Sequence, residues 1–342
     1  MPATIRDVAR VAGVGLGTVS RVINNSPQVS DPTRRRVLEA IEALDFHPSP
    51  IARRLSLGKT LTIAAIAPFF TRPATVERLR GVELTIAGTE YDLIVFSVES
   101  PERRDATLRE VTRSQRVDGA LVISLPPRDG ELETLQASPV PVVLIDVNNP
   151  EMEGFSRVVV DDFEGGRRAT QHLLALGHRR VGYISDPFDE PFLYTASRMR
   201  FQGYQQALQE AGIEPAEVWH QHGEHGRYEA ERLAIALLSL QNAPTAIFAA
   251  SDTQAIGVME AARKMGLNVP KDLSVVGYDD IELAEYMGLT TVRQPLFESG
   301  AEGVRLLLQA IADRSAPPRT VRLQTEVIPR RTTAQPRDGD AP

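Results

Sequence analysis

The chain has 342 residues, of which 42% are hydrophobic and 24% charged, and it contains no cysteine. This length has room for roughly two domains of about 150 residues each, so a single small module is excluded, and the missing cysteines exclude disulfides, zinc–thiolate sites and thiol nucleophiles. No apolar run reaches the roughly 18 residues that a membrane span needs, and the N-terminal segment lacks the plan of a secretory signal, so we expect a soluble, cytoplasmic protein without a membrane partner.

Charge is unevenly distributed along the chain. Residues 1–60 hold nine basic and five acidic residues, a net charge of +4, whereas the formal net charge of the whole chain is -7. The remaining residues therefore carry -11. A basic N-terminal segment on an acidic body is typical of a DNA-binding module fused to a second domain.

Three short helices are predicted in the first 45 residues. Thr4 and Asp7 form a capping-box pattern ahead of an apolar repeat that ends at Gly13, and a second helix begins near Leu16. A third helix follows Ser30, which is placed to cap it, with a proline in the first turn. This pattern indicates either a helix-turn-helix that docks in the major groove or a generic three-helix bundle.

The next segment, PSPIARRLSLGKT, predicts a helix that is too short to be stable alone. Ser49 suits the cap and Pro50 the first helical position, but Gly58 ends the pattern after about seven residues. Residues 48–60 are therefore either a hinge helix that forms only against a partner or a structureless linker.

From Leu61 onward, short β-branched runs alternate with amphipathic helical stretches. Regular alternation of strands and helices predicts parallel sheets that are covered on both faces, and about 270 residues suffice for two such lobes. Ligands in this architecture bind beyond the carboxyl ends of the strands. The predicted fold class is therefore α/β, with doubly wound parallel sheets in a two-lobed body behind a small all-α head.

Two acidic pairs and one histidine-rich loop are candidates for chemistry. Asp161–Asp162 and Asp279–Asp280 are either paired catalytic carboxylates or caps where strands give way to helices. The loop WHQHGEHG is either a metal site or a solvated loop, and its spacing matches no standard metal pattern. No nucleophile with positioned partners is evident, so we expect no enzymatic activity, no cofactor and no metal.

The strings TIRDVARVAGVGLGTVSRVINN and VSDPTRRRVLEAIEALDFHPSPIARRLSLGKT resemble the head of the lactose-repressor (LacI/GalR) family over residues 4–60. The resemblance implies that Leu16 and Gly17 select bases and that Arg21 reaches into the major groove. It implies phosphate or supporting base contacts by Thr4, Thr18, Ser20, Asn24 and Gln28. Gly15 departs from the family's usual serine; glycine caps a helix nearly as well, but a hydroxyl is lost.

In this family the hinge helix pairs with its symmetry mate in the minor groove. The resemblance therefore implies DNA contacts by Ser49, Ala52, Arg53 and Leu55. The leucine is expected to wedge into a central base step and kink the duplex, which is a known minor-groove strategy.

The landmarks GHRRVGYIS, LSVVGYDDIELAEY and LTTVRQP extend the resemblance through the body to about Arg331. They imply a periplasmic-binding-protein-like core of two subdomains behind the head (1–47) and the hinge (48–60). The implied boundaries are 61–160 with 293–320 for the N-subdomain, 161–292 with 321–331 for the C-subdomain, and 332–342 for a disordered tail.

A small effector is implied in the cleft between the subdomains. The residues that the resemblance places there are Phe70, Arg72, Ser97, Ser124, Asp146, Arg200, His225, Ser251, Asp252, Asp279 and Gln294. Carboxylates and an arginine that converge with aromatic faces suit a polyhydroxylated ligand such as a sugar. A neutral sugar does not require Arg72, which therefore either binds an acidic or phosphorylated sugar or lies at the surface or a dimer interface.

The function implied is that of a transcriptional regulator, a repressor of carbohydrate-utilisation genes, whose operator affinity is set by a sugar or sugar-phosphate effector. Palindromic operator DNA needs two heads, so a homodimer is expected. Whether the effector is an inducer or a corepressor stays open. A sugar-binding protein and a sugar-modifying enzyme, both without control of DNA, are the alternatives.

Replacing Leu55 by alanine tests the minor-groove wedge. Leu55→Ala is expected to weaken specific operator binding by a few kcal/mol at most, because the unstacked base step loses the side chain that fills it. Effector affinity should not change. Operator affinity and DNA bend are read from the mobility of circularly permuted fragments, and an unchanged affinity and bend would contradict the assignment.

Overall fold

The computed structural model describes residues 3–47, 58–113, 116–128, 130–188, 192 and 195–337. The chain forms two compact units, of which the first takes in Met1–Leu61 with Gln115–Asp118 and the second Thr62–Ser114 with Gly119–Pro342. The expected hinge contacts Ser49, Ala52, Arg53 and Leu55 lie outside the described residues.

The first unit contains the three predicted helices, α1 (Ile5–Ala12), α2 (Leu16–Ile23) and α3 (Asp31–Ala43). The capping box before α1 is present, because the Thr4 hydroxyl accepts from the Asp7 backbone N–H while the Asp7 carboxylate accepts from the Thr4 backbone N–H. Side chains from all three helices and the following loops form one small core, which includes Val8, Val19, Val22, Val29 and Val37.

The start of α3 differs in one detail from the prediction. Ser30 is the residue before the helix, but its hydroxyl bonds the Thr33 hydroxyl at 3.0 Å and makes no cap bond to the backbone. The Ser30 hydroxyl therefore contacts a side chain one turn away and does not accept from the backbone of the helix.

The last residues of this unit are held by one carboxylate. Asp118 accepts hydrogen bonds from the Thr60 backbone N–H at 2.9 Å, the Thr60 hydroxyl at 3.0 Å and the Leu61 backbone N–H at 2.9 Å. Three bonds to two neighbouring residues fix the backbone where the expected hinge ends.

The second unit contains twelve strands and nine helices within the described ranges. Its strands are β1 (Thr62–Pro68), β2 (Asp92–Val98), β3 (Gly119–Ile123), β4 (Val142–Ile145), β5 (Ser156–Val160), β6 (Val181–Ser185), β7 (His220–His222), β8 (Ala246–Ala249), β9 (Ser274–Asp279), β10 (Thr290–Arg293), β11 (Thr320–Leu323) and β12 (Glu326–Ile328). Its helices are α4 (Pro73–Ile86), α5 (Pro101–Arg113), α6 (Leu132–Gln136), α7 (Asp162–Ala175), α8 (Ala196–Glu210), α9 (Arg227–Leu238), α10 (Asp252–Lys264), α11 (Glu282–Met287) and α12 (Leu296–Ala312).

The strands form two six-stranded sheets, each of which is the centre of one lobe. The first sheet has the order β11-β5-β4-β3-β1-β2 and is parallel throughout. The second has the order β12-β10-β9-β8-β6-β7 and is parallel except where β12 pairs with β10. The central strands β1, β3, β6, β8 and β9 are buried along their whole length, as expected for parallel strands covered on both faces. No helix of the described ranges is long and apolar enough to cross a membrane.

The last passage of the chain from the first lobe to the second comes later than the predicted boundary between residues 320 and 321. We expected 321–331 to belong to the C-subdomain, but β11 pairs in parallel with β5 in the first sheet, so this prediction is wrong for its first residues. Only β12 returns to the second sheet, where it pairs with β10. The partly exposed TVRL sequence of an edge strand carries no signal of which sheet it joins.

The expected disordered tail is also wrong in its described part, residues 332–337. Thr332 is buried; its hydroxyl donates to the Val275 carbonyl and accepts from the Thr290 backbone N–H. These bonds to neighbouring strands attach the segment to the second lobe.

Helices α7 and α8 approach each other closely at two glycines. A Cβ on Gly166 would lie 2.2 Å from the backbone oxygen of Arg200, and a Cβ on Gly203 would lie 2.0 Å from that of Phe163. Because these two glycines have no side chain, α8 packs directly against α7. Arg200 therefore lies against α7, where its Nε donates to Asp162 at 2.8 Å. Close helix packing therefore determines the position of a buried arginine.

Enlarging one of these glycines should separate the two helices. Gly166→Ala is expected to lower the free energy of unfolding by about 1–3 kcal/mol, because backbone atoms cannot move aside as a flexible side chain does. Gly88→Ala is the matched control, since the nearest atom to its Cβ would be 3.8 Å away. Urea unfolding measures both variants, and equal stability of the two would contradict the packing argument.

Candidate functional site

Polar side chains stand at the carboxyl ends of strands in both lobes and meet around one cavity of about 130 Å³, room for a small solute. These strand-end residues are Ser124 after β3, Asp146 after β4, Asp186 after β6, Ser251 after β8, Asp279 at the end of β9 and Gln294 after β10. Ser124, Asp146 and Asp279 have φ values of 51°, 62° and 119°, which residues other than glycine rarely adopt. Such backbone strain clusters at functional sites. We call this space the interlobe cavity.

Eight of the eleven residues expected to bind an effector line the interlobe cavity. They are Arg72, Ser124, Asp146, Arg200, His225, Ser251, Asp279 and Gln294. The other three do not line it. Phe70 is 44% exposed, Ser97 lies in the edge strand β2, and Asp252 is fully buried, where it accepts hydrogen bonds from the Ile281 backbone N–H and the Thr291 hydroxyl.

Arg78 organises the wall that the first lobe contributes. Its guanidinium is buried and lies 3.3 Å from the Asp146 carboxylate, and its Nε donates to the Ser299 hydroxyl at 3.0 Å. Ser124 also donates to Asp146, at 2.6 Å. The carboxylate at the end of β4 is therefore held by one charged and one neutral donor.

Arg200 organises the wall that the second lobe contributes. Its Nε donates to Asp162 at 2.8 Å, its Nη1 donates to the Ala250 carbonyl at 2.6 Å, and its Cζ stacks 3.7 Å over the Tyr278 ring. The Asp279 carboxylate lies 3.9 Å from Nη1. The guanidinium is thus held by three protein groups, and its remaining edge faces the cavity.

Burial dominates the titration of Asp162 and Asp279. It raises the pKa of Asp162 despite the neighbouring Arg200, and it raises the pKa of Asp279 to about 6. The Gln294 side-chain amide donates to Asp279 and acts in the opposite direction. Asp279 is therefore a carboxyl group that changes charge close to neutral pH.

Asp186 and His225 form a second polar pair on the wall of the second lobe. His225 Nδ1 lies 3.0 Å from the Asp186 carboxylate, and Gln254 donates to the same oxygen at 3.1 Å. Burial acts to raise the pKa of Asp186, but the hydrogen bond and charge of His225, with the charges of Arg72 and Arg200, hold it below its usual value. His225 is one of the residues expected to bind an effector, and one of its ring nitrogens is engaged by this carboxylate.

Arg72 follows β1 and directly precedes α4 on the wall of the first lobe. Its Cζ lies 4.1 Å over the Phe69 ring, and that ring meets Phe192 edge-on at 5.6 Å between centroids. The guanidinium makes no hydrogen bond or ion pair to any residue in the described ranges. It is held by an aromatic face and keeps its N–H groups free.

Sequence reasoning missed Arg78, Asp186 and Ser197, which all line the cavity. Asp186 had a signal, since it directly follows a buried strand just as Asp146 does. Arg78 had none, because its side chain reaches the cavity from within a helix. In the acidic pair Asp161–Asp162, Asp161 caps α7 by accepting from the Glu164 backbone N–H.

The histidine-rich loop includes a side chain that packs against an aromatic ring. His220 stacks on Phe201 at 4.2 Å between centroids, and burial lowers its pKa to about 4. Among the residues that the structure describes, no three potential ligands come together to hold an ion.

The head presents part of α2 outward. Leu16 is 46% exposed, Gly17 and Arg21 are exposed, and Val19 and Val22 are buried beneath them. Thr4 and Gln28 are exposed, whereas Thr18, Ser20 and Asn24 are half-buried. Helix periodicity thus separates the residues that build the core from those expected to contact DNA.

Comparisons with known proteins match both parts of the chain. Residues 4–49 match the family described as bacterial regulatory proteins, lacI family, and residues 170–333 match a periplasmic binding protein-like domain. The chain is 32% identical over 335 residues to the HTH-type transcriptional repressor PurR of Mannheimia succiniciproducens, covering 96% of this chain and 98% of that one. It is 37% identical over 316 residues to the ribose operon repressor of Escherichia coli strain K12, covering 90% and 93%.

Two solved structures extend the match to nearly the whole chain. The Lac repressor dimer bound to operator and the anti-inducer ONPF is 28% identical with a TM-score of 0.85, and the alignment covers 98% of this chain and 100% of that one. A complex of the transcriptional regulator CelR with cellobiose is 33% identical with a TM-score of 0.71, covering 96% and 99%.

Removing the titration of Asp279 should change how stability depends on pH. Its pKa is raised from 3.8 to about 6, so the folded protein binds this proton more tightly than the unfolded chain, and its contribution to stability is lost as pH rises toward 6. The free energy of unfolding of Asp279→Asn, relative to the unchanged protein, should increase by about 2 kcal/mol between pH 4.5 and pH 7.5. Urea unfolding at the two pH values measures this difference, and a constant gap would show that Asp279 does not titrate there.

Proposed function

This chain belongs to the lacI family of bacterial regulatory proteins, and from that premise we propose that it represses transcription through operator binding that a small polyhydroxylated effector controls. It is a DNA-binding transcriptional regulator with a helix-turn-helix head and a two-lobed periplasmic-binding-protein-like body. The observation that carries the proposal is the cavity between the lobes, whose walls combine carboxylates at the ends of strands with guanidinium groups from helices. The protein acts in the cytoplasm, where bacterial DNA lies.

The head supplies recognition of DNA. Arg21, on the exposed surface of α2, donates to base edges in the major groove, and its neighbours Leu16 and Gly17 offer only apolar contact or close approach. Phosphate or supporting base contacts fall to Thr4, Thr18, Ser20, Asn24 and Gln28. A two-fold operator needs two such heads, so the working form is a homodimer with paired hinge helices.

The interlobe cavity fits a ligand that both donates and accepts hydrogen bonds. A sugar hydroxyl does both, so Asp279 and Asp146 accept from hydroxyls while Arg200 and Arg78 donate to them. Two of the proteins compared above carry sugars in their names, one as the ribose operon repressor and one as a complex with cellobiose. The geometry of the cavity and the similarity to these two proteins therefore both favour a carbohydrate effector.

The effector controls operator binding because it bonds to residues of both lobes at once. Arg78 and Asp146 come from the first lobe and Arg200 and Asp279 from the second, so a ligand makes its full set of bonds only when both lobes approach it. The ligand stabilises that arrangement by its differential affinity, which is the thermodynamic content of a population shift. By linkage, an effector that weakens operator binding is itself bound more weakly by the operator complex, to the same factor.

An enzyme on the same fold is the second candidate class. Catalysis of acid–base chemistry would need a pair of carboxyl groups free to exchange protons with a substrate. Asp146 and Asp279 are each held by an arginine and a neutral donor. This arrangement favours binding over turnover, and steady conversion of a sugar by the purified protein would support the enzyme instead.

Two substitutions separate the functions of the two units. Arg21→Ala should weaken binding to duplexes selected from a random pool by roughly 10- to 100-fold, since a bidentate contact to a base is lost, and should leave effector binding unchanged. Arg200→Lys keeps the charge opposite Asp162 but loses the planar fork, so it should retain operator binding and lose the response to a sugar found by thermal-shift screening.

Fluorescence anisotropy of labelled operator, with and without the sugar, measures both responses. Arg198→Lys is the matched control for the effector arm, because Arg198 lies exposed on the same helix α8 and outside the cavity. Normal operator binding by Arg21→Ala, or a normal sugar response in Arg200→Lys, would count against the corresponding part of the proposal.

A further inference from the structure

Arg72, a cationic side chain on the wall of the interlobe cavity, has no anionic partner in the part of the chain that the structure describes. Arg78 and Arg200 also line the cavity, but each forms an ion pair with an aspartate of its own lobe, Arg78 at 3.3 Å and Arg200 at 2.8 Å. The guanidinium of Arg72 forms neither an ion pair nor a hydrogen bond with the residues described, and its Cζ lies over the Phe69 ring. Its positive charge is therefore not compensated by direct contact within the site.

The acids of the cavity do not compete for this guanidinium. Each already has a donor of its own, as in the pairs Asp146–Arg78, Asp186–His225 and Asp279–Gln294. The charge of Arg72 acts on Asp186 across the cavity, but no hydrogen bond joins the two. The N–H groups of the Arg72 guanidinium are consequently available to a ligand.

The surroundings of Arg72 reinforce its preference for an anion. Ala74 and Thr75, in the first turn of α4, line the same cavity, and backbone N–H groups in the first turn of a helix have no acceptor within it. The helix dipole adds positive potential at this end. Arg72 and α4 thus contribute in the same direction to one corner of the cavity.

Gln294 imposes a second requirement on the ligand. It is 5% exposed; its amide nitrogen donates to Asp279, and its Oε1 is buried with no hydrogen-bond partner in the described part of the chain. A buried acceptor left unsatisfied costs free energy that a ligand hydroxyl recovers. This acceptor favours a ligand that has hydroxyl donors as well as an anionic group.

We infer that the effector is a polyhydroxylated anion, a sugar acid or a sugar phosphate, whose anionic group binds Arg72 and whose hydroxyls meet Arg200, Asp279 and Gln294. This inference rests on the proposed function, since it names the chemical class of the effector. A guanidinium holds a carboxylate or phosphate through two parallel N–H···O bonds, which are stronger than bonds to a neutral hydroxyl. Arg72 thereby selects an anionic sugar over its neutral counterpart.

The experiment compares neutral and anionic sugars on the full-length protein. D-Ribose is paired with D-ribose 5-phosphate, and D-glucose with D-glucose 6-phosphate and D-glucuronate; inorganic phosphate is the probe for the anionic corner alone. Isothermal titration and thermal shift are run on the unchanged protein, Arg72→Gln and Arg80→Gln. Arg80 is the matched control, because it lies on α4, the helix that Arg72 precedes, but outside the cavity, and its side chain is 59% exposed.

At least one anionic sugar is expected to bind about 10-fold or more tightly than its neutral partner. Arg72→Gln should reduce that affinity by about 10- to 100-fold and the affinity of the neutral sugar by less than about threefold, while Arg80→Gln changes neither. Phosphate should raise the melting temperature of the unchanged protein and of Arg80→Gln but not of Arg72→Gln. That result supports the inference even where none of these sugars binds, and the stronger of glucuronate and glucose 6-phosphate identifies the anion.

Two results would overturn the inference. The first is a neutral sugar that binds at least as tightly as its anionic partner, or an anionic preference that survives Arg72→Gln; either leaves the proposed function intact. The second is the absence of any binding by sugars and phosphate. Failure of the proposed function is distinct from both, because it shows as a protein that selects no duplex DNA from a random pool.

Discussion

A buried guanidinium needs a carboxylate beside it, and the arrangement of both lobes depends on that constraint. Removing a charge from water costs several kcal/mol unless a partner and further hydrogen bonds compensate it. Arg78 meets this need through Asp146 and two hydroxyls, and Arg200 meets it through Asp162, a backbone carbonyl and the face of Tyr278. Each lobe therefore carries a rigid ion pair at the carboxyl ends of its strands. The polar groups of the cavity are held by contacts within the protein, and such fixing limits the entropy lost when a ligand binds.

Helix packing makes this positioning possible. The glycines of α7 and α8 let two backbones come together, so that a side chain from one helix reaches an acid on the other. In the first lobe, a Cβ on Gly300 would lie 2.0 Å from the backbone oxygen of Arg78, so α4 and α12 meet in the same way. Both charged pairs thus rest on close contacts between helices, and a ligand that bridges the lobes acts on elements that hardly deform.

The division of charge along the chain follows the division of labour. The first 60 residues carry +4 and the rest -11, so the head is attracted to phosphates while the acidic body is repelled by them. The acidic body also contains a positively charged site, because the Arg72 guanidinium lines the cavity beside aspartates that are already paired. Net charge therefore describes which surfaces meet DNA, whereas the pairing of individual groups describes which ligand the body holds.

The sequence by itself determined the helical head, the alternation that produces parallel sheets and the acids at strand ends such as Asp146 and Asp279, because these are local patterns. Only the tertiary structure decided that Arg78 and Asp186 reach the cavity while Phe70, Ser97 and Asp252 do not line it. That outcome depends on how helices rotate and pack, as in the bond from Arg78 to a serine 221 residues away. It also decided that β11 returns to the first sheet and that Thr332 is buried, because edge strands pair according to which backbone lies free beside them and not according to their own side chains.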